Sequence, residues 1–446
     1  MQLLLLVIGF GTVLAGYVHP EQIHLSWTEE INQMRVTWVT YLNVPAQAAY
    51  RPILCGNVPT PSNFTLINGE TKKFHEGSHF WEYQHIHTAV FNNLDSNCWY
   101  EYKVKNLGVW SKTYMFNGRT PDTNATFRDV NNPFSLVIFG DWGTGPNGQY
   151  TKHLLGEETL TRDYLGILHM GDIGYNLDSD DGKVGDTYLN MVESIAATYP
   201  YMTLPGNHEK ANNFTHYKAR FNMPNNGANQ GTNYFYSFNL GPAHFIMYNT
   251  NPYFDDMNTT ADADLETQWI ANDLALANKQ RDIRPWIITL AHHPLYCSQD
   301  WSNEDSIEDC GEQPAVLKPI FEDLFYSNSV DLALQAHVHI YERDAPIYKN
   351  ETIPSQYDSQ NMHINPNAPV YIVGGAAGNR LGTNVPASKT PQPWARFLSN
   401  DYGYGRLTVF NKTHMLWEQF SVLQLTEIDY VWIIKDQARY KPVLLN

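Results

Sequence analysis

The sequence predicts two folded parts in series, an all-β sandwich over residues 19–120 and an α/β domain over 134–446. Three observations predict this. Before residue 120, short segments alternate apolar and polar residues between Pro, Gly and Asn punctuation, the mark of half-buried strands. After residue 133, the strand candidates are continuous apolar runs, the mark of strands buried on both faces. Stretches of helical period separate those runs, and strands alternating with helices mean α/β. A length of 446 residues suits more than one domain, at about 150 residues each.

Residues 3–16, LLLLVIGFGTVLAG, form one apolar run ending at the small residues Ala15 and Gly16. We read residues 1–16 as a secretory signal peptide. The run falls short of the roughly 18 residues a membrane span needs, and no later run is long enough. IHLSW, MRVTWVT, HTAVFNNL and CWYEYKV are the strands of the sandwich. Residues 121–133, PDTNATFRDVNNP, are a polar linker. SLVIF (135–139) and YLGILHM (164–170) each stop at Gly-Asp, and YMTLP (201–205) stops at Gly-Asn-His. VGDTYLNMVESIAATYP, between the second and third, is amphipathic. Residues 262–280 have helical period and an acidic first turn that suits the helix dipole. WIITLA, SVDLALQA and PVYIVGG add further buried strands.

A net charge of -17 repels phosphate backbones overall and so disfavours nucleic acid and anionic membranes as partners; no nucleic-acid partner is expected. Export predicts glycans and disulfides. Acceptor sequons begin at Asn63, Asn124, Asn213, Asn258, Asn350 and Asn411. The four cysteines, Cys55, Cys98, Cys297 and Cys310, allow three pairings. Cys55–Cys98 and Cys297–Cys310 are preferred because each pair lies within one predicted unit.

Five segments place a metal-capable residue just past an apolar strand. They are Gly140-Asp141-Trp142-Gly143, Gly171-Asp172-Ile173-Gly174-Tyr175, Gly206-Asn207-His208-Glu209, Thr289-Leu290-Ala291-His292 and Ala336-His337-Val338-His339. A glycine before the ligand lets backbone turn sharply and approach an ion. Each segment alone is weak, since Gly-Asp after a strand is usually a turn. Together, at predicted strand ends, they point to a metal centre.

This set resembles the purple acid phosphatases, within the calcineurin-like metallophosphoesterases. The shared pattern is Gly-Asp-x-Gly, Gly-Asp-x-x-Tyr, Gly-Asn-His-Asp/Glu, Val-x-x-His and Gly-His-x-His. YNLDSDDGKVGD and HVHIYER resemble the family too. The resemblance covers nearly all the chain after the signal peptide. It implies a fibronectin-III-like sandwich before a catalytic domain built as a β-sandwich flanked by helices. It also implies Fe(III) on Asp141, Tyr175 and His339, Asp172 as a bridge, and a divalent ion (Zn, Fe or Mn) on Asn207, His292 and His337. His208 would be catalytic, touching the substrate phosphate and helping the leaving group, with Asn207 also at the substrate.

The residue chemistry agrees. Carboxylate and phenolate suit a hard trivalent ion, while imidazole and amide suit a divalent one. Asp141, Asp172 and Tyr175 supply three negative charges and a bridging hydroxide a fourth; against five positive charges the site keeps +1 for an incoming phosphate. Two cations about 3.5 Å apart would clamp phosphate oxygens and acidify a water. The implied function is a secreted or lysosomal acid phosphatase that hydrolyses small phosphate monoesters by attack of metal-activated hydroxide. The alternatives are a phosphodiesterase or nucleotidase on the same scaffold, which Tyr175 argues against, and a catalytically inactive secreted binding glycoprotein. The sequence leaves the oligomeric state, the physiological substrate and the divalent ion open.

Three positions depart from the pattern. Ala336 replaces Gly, Thr289 replaces Val, and residues 297–312 carry no histidine where many relatives do, leaving Trp301 or a carboxylate for substrate contact. His293 reads as a structural neighbour of His292. His85 and His87 read as strand-face residues, His169 as a buried hydrogen-bonded one, and Asp178–Gly182 as a solvated turn.

Overall fold

The computed structural model describes residues 19–60, 62–75, 84–96, 98–106, 108–118, 133–225, 227–229, 231–254, 260–298, 310, 312–379 and 391–436. The expected signal peptide, linker residues 121–132, the sequons at Asn124 and Asn258, and Trp301 lie outside the described residues. The chain divides into two compact units. One comprises Met1–Thr120, Leu177–Tyr201 and Thr215–Asn222; the other comprises Pro121–Asn176, Met202–Phe214 and Met223–Asn446.

The first unit contains two antiparallel sheets. One orders the strands Glu21–Trp27, Met34–Thr40, Gln84–Phe91 and Glu70–Phe74. The other orders Tyr114–Asn117, Cys98–Asn106, Gln47–Cys55 and Val58–Pro59, with Thr65–Asn68 and Val109–Trp110 paired at its sides. Strict alternation in Cys98–Asn106 turns Tyr100, Tyr102 and Val104 inward, where Phe116 stacks on Tyr100 and on Phe91, and Phe91 packs tilted against Tyr102. Cys55 and Cys98 face each other in register and are disulfide-bonded.

His87 is fully buried in Gln84–Phe91, held by the hydroxyls of Thr40 at 2.7 Å and Thr71 at 2.9 Å. Burial lowers its pKa to about 4, with His85 adding to the effect.

The helix Lys183–Ala196, which the sequence reading placed after the linker, groups with this unit. Tyr188, Leu189, Val192, Ile195 and Ala196 form its buried stripe. It packs on Glu21–Trp27, where Glu193 accepts the Ile23 N–H at 3.3 Å and the Tyr114 hydroxyl. Arg220, also buried, donates to Asp186 at 2.7 Å and to the Gly182 carbonyl at 2.9 Å.

The second unit is built on two mixed sheets. The first runs Tyr201–Leu204, Gly166–Met170, Phe134–Phe139, Gly403–Val409, His414–Ser421, Thr426–Ile434, Met362–Ile364 and Tyr357–Ser359. The second runs Tyr236–Leu240, Ala243–Met247, Trp286–Leu290, Leu332–Gln335, Val370–Gly374, Tyr341–Tyr348 and Glu351–Thr352, with Ala395–Ser399 beside Tyr341–Tyr348. Phe134–Phe139 pairs in parallel with Gly166–Met170; Trp286–Leu290 does so with Leu332–Gln335. Parallel pairing brings the ends of these continuous apolar runs together.

The helices Thr260–Asn278 and Glu312–Ser327 cover the second sheet, sinking Ile270, Leu274, Leu317 and Phe321 against Ile246 and Ile287. The fold class is therefore the expected one, an all-β amino-terminal region before an α/β region of two sheets with flanking helices, although the helix Lys183–Ala196 from the later sequence groups with the first unit. Among the described residues no helix is long and apolar enough to cross a membrane.

Candidate metal centre

The turns that leave those parallel strands carry the predicted ligands. Asp141 lies two residues past Phe139, and Asp172 two past Met170. Pairing persists into the turns, with Asp141 N–H on the Gly171 carbonyl at 3.1 Å and Trp142 N–H on the Asp172 carbonyl at 3.2 Å. In the other sheet Ala336 N–H reaches the His292 carbonyl at 2.8 Å, so the two histidine-bearing turns are tied as well.

The approach of these turns requires glycine. A Cβ on Gly206 would lie 2.2 Å from Asp172 Oδ1, and one on Gly171, at φ +84°, would lie 2.6 Å from Gly206 N. Four of the seven predicted ligands adopt the left-handed region that L-residues avoid: Asp141 at φ 62°, Asp172 at 55°, Tyr175 at 61° and His337 at 68°. Such conformations cost on the order of 1 kcal/mol or more each and persist where the surroundings impose them. Ala336 is outside that region. Its methyl faces Gly140, where an added Cβ would lie 2.3 Å away, so the missing glycine is compensated across the turn.

Six of the seven predicted ligands come together as two triangles, and the seventh, Asp172, lies beside them. In one, Tyr175 OH lies 2.8 Å from His339 Nε2 and 3.1 Å from Asp141 Oδ1, and His339 Nε2 lies 3.3 Å from Asp141 Oδ1. In the other, Asn207 Oδ1 lies 3.0 Å from both His292 Nε2 and His337 Nδ1, which are 3.2 Å apart. Asp172 Oδ1 lies 3.3 Å from His292 Nε2. Asp141, Asp172 and His292 offer ligand atoms that all fall within 4.8 Å of one another. Donors about 2.1 Å from one cation and at right angles to each other lie about 3.0 Å apart. Each triangle therefore has the dimensions of one face of a coordination shell, and the donor set fits a pair of cations.

The surrounding hydrogen bonds aim the donors. Met170 carbonyl takes the Nδ1–H of His292 at 2.8 Å and turns its Nε2 inward. Asp141 Oδ2 accepts His337 N–H at 2.9 Å. Glu209 accepts the N–H groups of Asp172, Ile173 and Gly206 at 2.9, 2.8 and 2.8 Å, fixing both turns through one buried carboxylate. The His208 ring lies tilted against the Tyr175 ring at 4.7 Å and holds Asn176 Oδ1 by Nδ1 at 2.6 Å. Its Nε2 lies 3.8 Å from Asp172 Oδ2, with the side chain 25 % exposed.

Electrostatics follows from burial and crowding. Burial works to raise Asp172, but His292 and His208 outweigh it and hold the carboxylate well below its usual range. Burial works to lower His292, yet Asp172 carries it up to about 9. Burial, then the Asp141 and Asp172 carboxylates, push the Tyr175 phenol well above its ordinary value. A cation on that oxygen would have to displace the proton.

Sequence reasoning missed Asn176 as the partner of His208 and Glu209 as the brace, although both follow a singled-out motif residue. His293 is buried, bonded to Thr250 Oγ1 at 2.6 Å, its ring 4.4 Å from that of His337; His292, His293 and His337 form a second potential metal-holding group. His169 is fully buried beside Phe139. Cys297 is disulfide-bonded to Cys310 and packs with Val338, which lies between His337 and His339. The sequon residues Asn63, Asn213 and Asn350 are exposed, and Asn411 is half-buried.

Three family models match the chain: "Purple acid Phosphatase, N-terminal domain" over residues 20–117, "Calcineurin-like phosphoesterase" over 134–341 and "Iron/zinc purple acid phosphatase-like protein C" over 368–429. The chain is 36% identical to acid phosphatase type 7 of Mus musculus over 428 residues, covering 94% of this chain and 92% of that protein. It is 35% identical to acid phosphatase type 7 of Homo sapiens over 444 residues, covering 97% and 95%. The solved structure of a purple acid phosphatase from yellow lupin (Lupinus luteus) seeds matches in fold with a TM-score of 0.76 at 22% identity, covering 94% of this chain and 75% of that one.

Proposed function

The chain belongs to the purple acid phosphatase family, and from that premise we propose that it is a secreted or lysosomal enzyme hydrolysing small phosphate monoesters at an Fe(III)–M(II) pair. The observation that carries the proposal is the pair of donor triangles with Asp172 beside them. Asp141, Tyr175 and His339 would hold the ferric ion, Asn207, His292 and His337 the divalent one, and Asp172 would bridge. When bound, such a pair supplies Lewis acidity toward phosphate oxygens and acidifies water.

The remaining chemistry belongs to the side chains. Asn176 fixes His208 through Nδ1, which leaves Nε2 3.8 Å from Asp172 Oδ2 on a partly exposed side chain. As imidazolium, His208 donates its Nε2 proton to the departing alkoxide. Asn207 is a neutral donor, which leaves the centre's charge favourable to a phosphate dianion. Glu209 keeps the Asp172 and Gly206 turns in place without contributing an atom to the centre. The apolar amino-terminal run and the sequons support export and glycosylation.

The test is turnover of a nitrophenyl phosphate monoester and a bis-nitrophenyl diester by the purified protein, with metal counted in the same sample. Iron plus one divalent ion and faster monoester hydrolysis at acid pH are expected. Faster diester hydrolysis transfers the assignment to the diesterase alternative. Full metal occupancy with no ester hydrolysed makes the chain a binding glycoprotein.

A further inference from the structure

His292 and His337 face the same amide oxygen with different ring nitrogens. His292 offers Nε2 to Asn207 Oδ1, and its Nδ1 proton goes to the Met170 carbonyl at 2.8 Å. His337 turns Nδ1 toward Asn207 Oδ1 at 3.0 Å, so with a cation held between these donors its proton belongs on Nε2. A neutral imidazole has one lone pair and one N–H, and a ligating ring must give the lone pair to the cation. His337 therefore needs an acceptor opposite Nε2. Among the described residues, the buried Gln313 places its amide there, with its nitrogen at 3.3 Å from His337 Nε2.

We propose that Gln313 is a positioning residue that accepts the His337 Nε2–H through its amide oxygen and so fixes the tautomer whose Nδ1 lone pair faces Asn207 and His292. A half-turn of the carboxamide exchanges its oxygen and nitrogen in place, so the geometry serves either end. Only the oxygen agrees with a lone pair on Nδ1. The proposal rests on the cation-pair reading above.

Two further features favour it. Gln313 lies at the start of Glu312–Ser327, three residues past Cys310, whose disulfide partner Cys297 packs on Val338. The cross-link thus anchors the chain carrying Gln313 beside the strand end carrying His337. Gln is also neutral. It orients the ring without adding negative charge to a centre that must attract phosphate.

The test compares the full-length protein with Gln313→Leu, Gln313→Met and Gln313→Glu, measuring Zn(II) affinity by equilibrium dialysis against a chelator at pH 7. Circular dichroism and thermal unfolding identify any variant that does not fold. Outer hydrogen-bond partners of metal-ligating histidines are worth about 10–100-fold in affinity. Gln313→Leu and Gln313→Met should lose that much, while Gln313→Glu, which still accepts the N–H, stays within about threefold of the parent. Equal losses in all three variants would mean packing alone and overturn the proposal. A Glu variant weaker than Leu would mean that the amide donates to His337, which overturns it too. Parent-like affinity in the Leu or Met variant sinks the role of Gln313 alone. Failure of the parent to bind Zn(II) or any divalent ion sinks the cation-pair reading beneath it as well.

Discussion

At the scale of single residues, function is written in departures from ordinary conformation. Asp141, Asp172, Tyr175 and His337 all sit at positive φ, where only packing and hydrogen bonds can keep them. The sequence shows their identity and spacing, so the motif glycines and the candidate donors could be read directly. It does not show the helpers. Asn176 and Glu209 act through contacts to residues 32 and 36 or 37 positions away, and nothing in a linear pattern announces such a bond. His208 yields the sharpest prediction at this scale. Replacement by Ala should cut kcat on an alkyl phosphate by about 10²–10⁴, with a smaller loss on a nitrophenyl ester whose leaving group needs little protonation. Metal content measured in parallel should be unchanged. Equal losses on both esters would remove His208 from leaving-group protonation.

At the scale of elements, buried strands were the most legible feature. SLVIF, YLGILHM, WIITLA and SVDLALQA are too apolar to be anything but interior, and the observed strands fall within them except for Phe134 at one margin. The amphipathic helix Lys183–Ala196 was also legible as a helix. The surface covered by its stripe was not, because period says that a face is buried and never against what.

The strand Gln84–Phe91 carries a prediction of its own. His87 has a folded pKa of about 4, below the ordinary value of 6.5. Between those values the unfolded chain binds more protons, so stability is present above pH 6.5 and is lost as pH falls toward 4. The loss from this residue is on the order of 3 kcal/mol. Denaturant titrations at a series of pH values should show His87→Gln with a shallower decline than the parent across that window. An unchanged slope would assign the acid sensitivity elsewhere.

At the scale of the whole molecule, the centre is assembled from turns between residues 141 and 339, so cation binding and folding of the second unit should be linked. A ligand at a thousand times its dissociation constant stabilises by about 4 kcal/mol. Stripping the metals with a chelator should lower the unfolding temperature by at least ~5 °C, and restoring iron and zinc should recover it. On the proposed ligand assignment, the direction with pH is set by Tyr175. Burial and the two neighbouring carboxylates hold its phenol protonated, and a cation must expel that proton, so reloading should weaken as the solution is acidified. Calorimetry in buffers of different ionisation enthalpy should record proton release on reloading. Tyr175→Phe should release less and should lose the visible absorption of a phenolate on iron.

The first unit borrows Leu177–Tyr201 and Thr215–Asn222 from beyond residue 120. During synthesis the ribosome emits the sandwich strands long before the helix that packs on Glu21–Trp27 and before Arg220, whose carbonyl meets His24 Nε2 at 3.1 Å. The nascent first 120 residues must therefore wait, incompletely covered, until about a hundred more have emerged. For the same reason this unit cannot be cut out or transplanted as a contiguous cassette, and a recombinant fragment ending at Thr120 would bare the strand that the later segments clothe.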